Sequence, residues 1–195
     1  MLHRFVDIHT HVGGRPLTIL STPIDDVERI ALCNSRLTDA ERQYYSLQLH
    51  PWHLTGLQNI TAFIDTAEHL RHDPQMVAIG ECGLDALCST PIGLQHKAFI
   101  AALSIARDFR LPVIVHCVRL WGDMIRDVHW VFPELRSDPD AWQQWPVIIH
   151  GYRRGTQLAQ QLLDAGFSLS LGEKYHPDVA KMLPKARRYA ESDQE

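Results

Sequence analysis

The stretch Pro112-Val113-Ile114-Val115-His116 recurs downstream, nearly letter for letter, as Pro146-Val147-Ile148-Ile149-His150. Each is a β-branched run opened by a proline and closed by an imidazole. A short continuous apolar run reads as a strand buried on both faces, the habit of parallel sheets covered by helices. Working outward, further runs have strand character: Phe5 to His11, weakly Glu28 to Cys33, Tyr44 to Leu49, Met76 to Gly80, Phe167 to Leu171, and weakly Arg187 to Glu191. Helical spacing lies between several of them. Asn59 to His72 carries Phe63, Ile64, Ala67 and Leu70 at 3/4 spacing, and Gln95 to Phe109 does so with Phe99, Ala102, Leu103 and Ala106. Thr156 to Ala165 carries Leu158, Leu162 and Leu163 and ends at Gly166, a residue suited to a C-terminal cap. Trp121 to Trp145 reads as a helix followed by a packed loop. Strands alternating with amphipathic helices predict an α/β fold, and eight strands predict a closed TIM-like (β/α)8 barrel.

The chain has 195 residues, which suits one domain over 1–195. That leaves about 24 residues per βα unit, a near-minimal barrel with no sequence for a last helix after the eighth strand. Hydrophobic residues make up 45% and charged residues 22%, which excludes a disordered or collagen-like chain. The formal net charge of −4 excludes a broad electrostatic glove for duplex nucleic acid, but not a local phosphate site. The N-terminus lacks the apolar core of a signal peptide, and no stretch has transmembrane length. Cys33, Cys82, Cys88 and Cys117 form no CxxC pair and read as buried reduced thiols. Together these point to a cytoplasmic protein with no membrane contact.

Histidine is over-represented, at 12 residues. His9 and His11 close the first strand two residues apart, so both rings face one way, and Asp7 shares their parity. Glu81 directly follows the fourth strand, while His116 and His150 end the fifth and sixth. The C-terminal ends of barrel strands converge on one face, where such barrels place their active sites. Four imidazoles and a carboxylate meeting there would suit Zn²⁺ or another first-row divalent ion. Any one of these histidines alone reads equally well as a core residue. The joint pattern does not, because a polar group left in a closed core costs roughly 1–3 kcal/mol unless paired.

The pieces Phe5-Val6-Asp7-Ile8-His9-Thr10-His11, Leu49-His50-Pro51, Ala78-Ile79-Gly80-Glu81-Cys82-Gly83-Leu84-Asp85, Pro112 to Cys117 and Ile149-His150-Gly151 together resemble the TatD family of metal-dependent hydrolases, related to deoxyribonucleases. They occur in the family's order and extend past residue 172. The resemblance implies a distorted TIM barrel with two divalent ions (Zn, Mg or Mn). It implies His9 and His11 on one ion, Glu81 as a bridge, and His116 with His150 on the other. The family's acidic motif after the eighth strand is matched by Glu191-Ser192-Asp193, which makes Asp193 the implied ligand that handles the proton of the attacking water. Family members continue through a proline and a last helix; this sequence stops at Glu195.

The expected activity is hydrolysis of DNA phosphodiester bonds, at ends or in single strands, with Glu81 and Asp193 as the catalytic carboxylates. His50 ends the third strand and is a candidate for substrate phosphate, as are Arg153 and Arg154 just beyond His150. Trp52 and Tyr152 are candidates for base stacking, though loop aromatics often only pack. No obligate protein partner is evident. Two other readings stand beside this one: an amidohydrolase or deaminase cleaving a C–N bond on the same barrel, and a non-catalytic metal-binding relative. Many C–N hydrolases bridge their metals with a carboxylated lysine, and a glutamate in the bridging place favours the phosphodiesterase.

Overall fold

Each strand lies parallel to the next in chain order, an arrangement that tight hairpin turns cannot join. The computed structural model describes residues 2–13, 17–27, 34, 38 and 42–193. Its strands are β1 (Asp7–Thr10), β2 (Thr18–Pro23), β3 (Tyr44–Leu49), β4 (Met76–Asp85), β5 (Val113–Val118), β6 (Val147–Ile149), β7 (Ser168–Leu171) and β8 (Arg188–Ala190). They form one eight-stranded sheet that curls into a nearly closed TIM-like barrel. The two ends of the sheet meet where the Asp193 N–H donates to the His9 carbonyl at 3.1 Å. Among the described residues no helix is long and apolar enough to cross a membrane.

Among the described residues the helices between strands are α1 (Leu57–His69), α2 (Ile92–Phe109), α3 (Trp121–Val131), α4 (Glu134–Ser137), α5 (Thr156–Asp164) and α6 (Pro177–Met182). The three helices expected from apolar spacing are present. α2 begins earlier than Gln95, directly after Pro91. Gln95 is buried, and its side chain bonds the backbone of Asp85 and Thr90, tying the helix start to the end of β4. Gly166 follows α5 at φ +93°, a conformation glycine tolerates and other residues resist.

Two strand expectations change. The weak second strand over Glu28 to Cys33 falls outside the described residues, and the strand that pairs with β1 and β3 is Thr18–Pro23. Thr18, Ser21 and Thr22 interrupt any apolar run there, yet all three are buried. The fourth strand runs beyond Gly80 to Asp85, so Glu81 lies within a strand rather than after it.

Two apolar layers hold the barrel. Between sheet and helices, Leu47, Ile79, Val113, Val115, Val147 and Ile149 pack with Phe63, Phe99, Leu103 and Leu162. On the opposite face, Ile19, Ala78, Ile114, Ile148 and Tyr189 fill the interior at one end, with Leu2 and Phe5 closing it. Period-two alternation then sends His116, His150 and Glu191 inward, two residues beyond Ile114, Ile148 and Tyr189.

β4 breaks that alternation. Ile79 pairs with Val113 and Cys82 with Val115; on the other side Leu47 pairs with Ile79 and Leu49 with Cys82. β4 therefore carries one extra residue against both neighbours, a bulge at Gly80–Glu81. Strict alternation from Ala78 would aim Cys82 and Leu84 inward. The bulge reverses this: Cys82 and Leu84 join the outer core, and Glu81, Gly83 and Asp85 face the mouth. Glycine is required on both sides of Glu81. A Cβ on Gly80 (φ +127°) would lie 2.2 Å from the Ile114 carbonyl oxygen, and one on Gly83 (φ +149°) 1.9 Å from that of His116.

The expected result of Gly83→Ala is therefore a large loss of stability. Backbone strain alone costs about 1–3 kcal/mol, and the clash with β5 adds to it. Urea unfolding measures this; a variant within experimental error of the parent would refute the steric account.

Candidate metal centre

The strand ends deliver their side chains to one cavity of about 250 Å³, lined by His11, Gln48, His50, Trp52, His53, Glu81, His116, His150 and Asp193. Glu81 is 4% exposed and sits at its centre. Its Oε1 lies 2.6 Å from His150 Nε2, 2.7 Å from His116 Nδ1 and 3.3 Å from His50 Nε2. Its Oε2 faces the other way, 3.4 Å from His9 Nε2. One carboxylate thus joins two groups of imidazoles. His9 Nε2 also lies 3.7 Å from Asp193 Oδ1, and the His9 and His11 rings are 5.0 Å apart.

Burial opposes charge on Glu81, but His150 nearby and hydrogen bonds from His116, His150 and His50 hold its carboxyl well below the usual range. Burial also opposes charge on His150, yet Glu81 and Glu191 push its basicity well above the ordinary value. The cluster therefore draws positive charge. Burial lowers the basicity of His11 and His50, favouring the neutral ring that coordinates cations.

The residues fit a metal on a structural test. His9 is fully buried, and neither of its ring nitrogens has a hydrogen bond; His150 Nδ1 and Glu191 Oε1 are likewise buried and unbonded. Buried polar atoms are nearly always bonded, so a group of orphaned donors in one place calls for a ligand. The donor atoms gather as His9, His11 and Asp193; as His9, Glu81 and His150; as His50, Glu81 and His116; and as His150, Glu191 and Asp193. This mixed imidazole and carboxylate set suits Zn²⁺ or Mn²⁺.

His9, His11, His50, Glu81, His116, His150 and Asp193 all reach this mouth, from the ends of β1, β3, β4, β5 and β6 and from the segment after β8. His50 lies at the rim of the same group, its Nε2 3.3 Å from Glu81 Oε1. Arg153 and Arg154 line an adjoining cavity of about 380 Å³ with Trp121 and Tyr152, and Arg153 Nη2 is 3.4 Å from Asp193 Oδ2. Tyr152 is buried, with its hydroxyl donating to the Gly155 carbonyl, so it packs and does not stack bases. Cys33 lies outside the described residues; Cys82 is buried, Cys88 and Cys117 are partly so, all three are free, and none lines the Glu81 cavity.

Sequence reasoning gave no role to two carboxylates that belong here. Asp85 lies 3.2 Å from His116 Nε2 and accepts the Trp52 indole N–H at 2.7 Å. Glu191 bonds the Ser170 hydroxyl and faces His150 Nδ1 at 3.8 Å. Their signal was parity: Asp85 follows Glu81 by an even step once the bulge is passed, and Glu191 follows Tyr189. Asp7, buried below His9 as parity suggested, accepts the His9 N–H and the Ser192 hydroxyl.

Comparison with known proteins follows this geometry. A family model described as TatD related DNase matches residues 6–194. The chain is 33% identical over 153 residues to the 3′-5′ ssDNA/RNA exonuclease TatD of Salmonella typhimurium, covering 69% of this chain and 53% of that protein. It is 28% identical over 208 aligned positions to an uncharacterized metal-dependent hydrolase TatD of Mycobacterium tuberculosis, covering 93% and 73%. The chain spans about half the length of the first of these relatives. Among solved structures it resembles a TatD homolog of Escherichia coli K12, with a TM-score of 0.74, 22% identity, and coverage of 99% and 80%.

If these donors hold a cation, Zn²⁺ or Mn²⁺ stabilises the native state by linkage, by about 2.7 kcal/mol at a hundred times its Kd. Thermal melting should rise on adding metal and fall on chelation, and the metal-dependent part should vanish in His9→Ala. Identical melting with and without metal would rule out the centre.

Proposed function

The chain belongs to the TatD-related DNase family, and on that premise we propose that it is a divalent-metal-dependent hydrolase of phosphodiester bonds. Its substrate is single-stranded nucleic acid, DNA first, attacked from 3′ ends as the name of the Salmonella relative describes for that protein. The observation that supports this best is the Glu81 carboxylate, whose two oxygens face separate imidazole groups with Asp193 alongside.

In this reading His9, His11 and Asp193 would hold one cation, His116 and His150 would hold the second, and Glu81 would be available to both. Bound cations supply Lewis acidity toward the phosphate and the attacking water, and neutralise charge on the phosphorus centre. Asp193 accepts the proton of that water. The water oxygen bonds to phosphorus as the bond to the leaving 3′ oxygen breaks, and the proton passes to that oxygen. His50, across Glu81 from His9, donates to a phosphate oxygen. Arg153, beside Asp193, and Arg154 hold the strand's backbone charge from the adjoining cavity.

An overall charge of −4 fits a nuclease that grips a short end better than one that wraps a duplex. The C–N hydrolase reading is weaker: no lysine lines the cavity among the described residues, so no carboxylated lysine takes the bridging place.

Steady-state cleavage of a single-stranded oligonucleotide with Mn²⁺ or Zn²⁺ tests the proposal. Glu81→Ala should abolish turnover, and Asp193→Asn should lower kcat by about 10²–10⁴-fold, the usual worth of a positioned acid or base. Activity that survives Glu81→Ala would sink the shared-carboxylate mechanism. A metal-loaded protein that ignores DNA and RNA but cleaves amides would favour the C–N reading.

A further inference from the structure

Trp52 stands in the short turn after β3, in the sequence Leu49-His50-Pro51-Trp52-His53. Its neighbours His50 and Pro51 are buried, yet Trp52 is 59% exposed at the rim of the metal cavity. A single exposed apolar residue is ordinary on a protein surface. What sets this one apart is how it is held. The indole N–H donates to Asp85 Oδ2 at 2.7 Å, and the backbone N–H of Trp52 donates to His50 Nδ1 at 3.2 Å. Trp130 and Tyr175 are also exposed, but neither lines the described cavities. Trp121 in the adjoining cavity is half-buried and already packed on Tyr152.

Asp85, which anchors the indole, is itself 3% exposed and fully engaged. Its Oδ1 accepts the Leu87 N–H at 2.7 Å, and its Oδ2 also meets His116 Nε2 at 3.2 Å. His116 Nδ1 faces Glu81 at 2.7 Å, and with a cation bound a proton held on Nε2 by Asp85 would leave Nδ1 as the ligating nitrogen. One carboxylate oxygen therefore sets both a metal-facing imidazole and an exposed aromatic ring. The Trp52 ring centroid is 5.0 Å from that of His50 and 6.1 Å from that of His116. In a nucleotide, the base hangs one sugar away from its phosphate, so a ring beside the phosphate-handling imidazoles is placed to meet a base. Stacking on an indole tolerates every base, as an enzyme working along a strand requires.

We propose that the Trp52 ring is the platform on which the end nucleobase stacks, and that Asp85 is the positioning residue that pins this platform and orients His116. The proposal rests on the nuclease reading above.

The test compares two single-stranded oligonucleotides, one ordinary and one with an abasic residue at the attacked end. KM and kcat are measured with Mn²⁺, and Kd by fluorescence anisotropy with chelator present. Trp52→Ala should raise KM and Kd for the ordinary strand by about 5- to 150-fold, the range for losing one base–aromatic stack, with a far smaller effect on the abasic strand, which has no base to stack. Trp52→Phe, which keeps an aromatic face but lacks the N–H that Asp85 holds, should restore part of the loss. Asp85→Asn should raise KM on the ordinary strand and also weaken Zn²⁺ affinity about 10–100-fold in a competition titration. Equal effects of Trp52→Ala on both strands, or none on either, would overturn the platform. Unchanged Zn²⁺ affinity in Asp85→Asn would overturn the anchor. A parent protein that neither binds nor cleaves either strand would remove the nuclease reading and the platform with it.

Discussion

Glu81 faces the barrel axis because β4 holds one residue more than β3 and β5 between the same paired positions. Everything at the mouth depends on that insertion. Without it, the outer-core residues Cys82 and Leu84 would enter the barrel, and two carboxylates would enter the apolar layer beneath α2. The bulge is affordable only because Gly80 and Gly83 let β4 approach the β5 carbonyls more closely than any side chain permits. A local backbone exception thus sets the chemistry of the whole site.

The barrel interior is graded. Ile19, Ala78, Ile114, Ile148 and Tyr189 seal one end. Buried serines lie beside this layer, with Ser46 paired to Ala78, Ser168 to Ile148 and Ser170 to Tyr189, and the imidazoles and carboxylates gather at the other end. Four acidic side chains are buried at the mouth: Asp7, Glu81, Asp85 and Glu191. Burying a carboxylate is costly unless it is paired, and each has partners: Ser192 for Asp7, the histidines for Glu81, Trp52 with His116 for Asp85, and Ser170 for Glu191. Such a site trades stability for preorganisation, and a bound cation would offset the trade.

The seam of the barrel lies at the same place. The Asp193 N–H bonds the His9 carbonyl, and the Ser192 hydroxyl bonds Asp7 beneath His9. The segment after β8 therefore closes the sheet and presents Asp193 to His9 in one stroke. Loosening either contact should disturb a donor group as well as the fold, because the closing bonds and the donors belong to the same few residues.

Much of this was legible in the residues. Two runs ending in His116 and His150 betray parallel strands, the apolar spacing of α1, α2 and α5 betrays their cover, and His9 with His11 betrays a shared direction, because alternation within a strand is a local property of the backbone. β2 was not legible, since its buried Thr18, Ser21 and Thr22 look like a loop until neighbours enclose them. Nor was the inward turn of Asp85, which depends on a register shift against two other strands. The sequence by itself determined the barrel class and pointed to most of the side chains that meet at its mouth, though not to Asp85 or Glu191. Only the tertiary structure decided which oxygen of Glu81 meets which ring, that Asp85 holds both Trp52 and His116, and where the sheet closes. Those are relations between strands, and pairing register is fixed by the whole barrel rather than by any one of its segments.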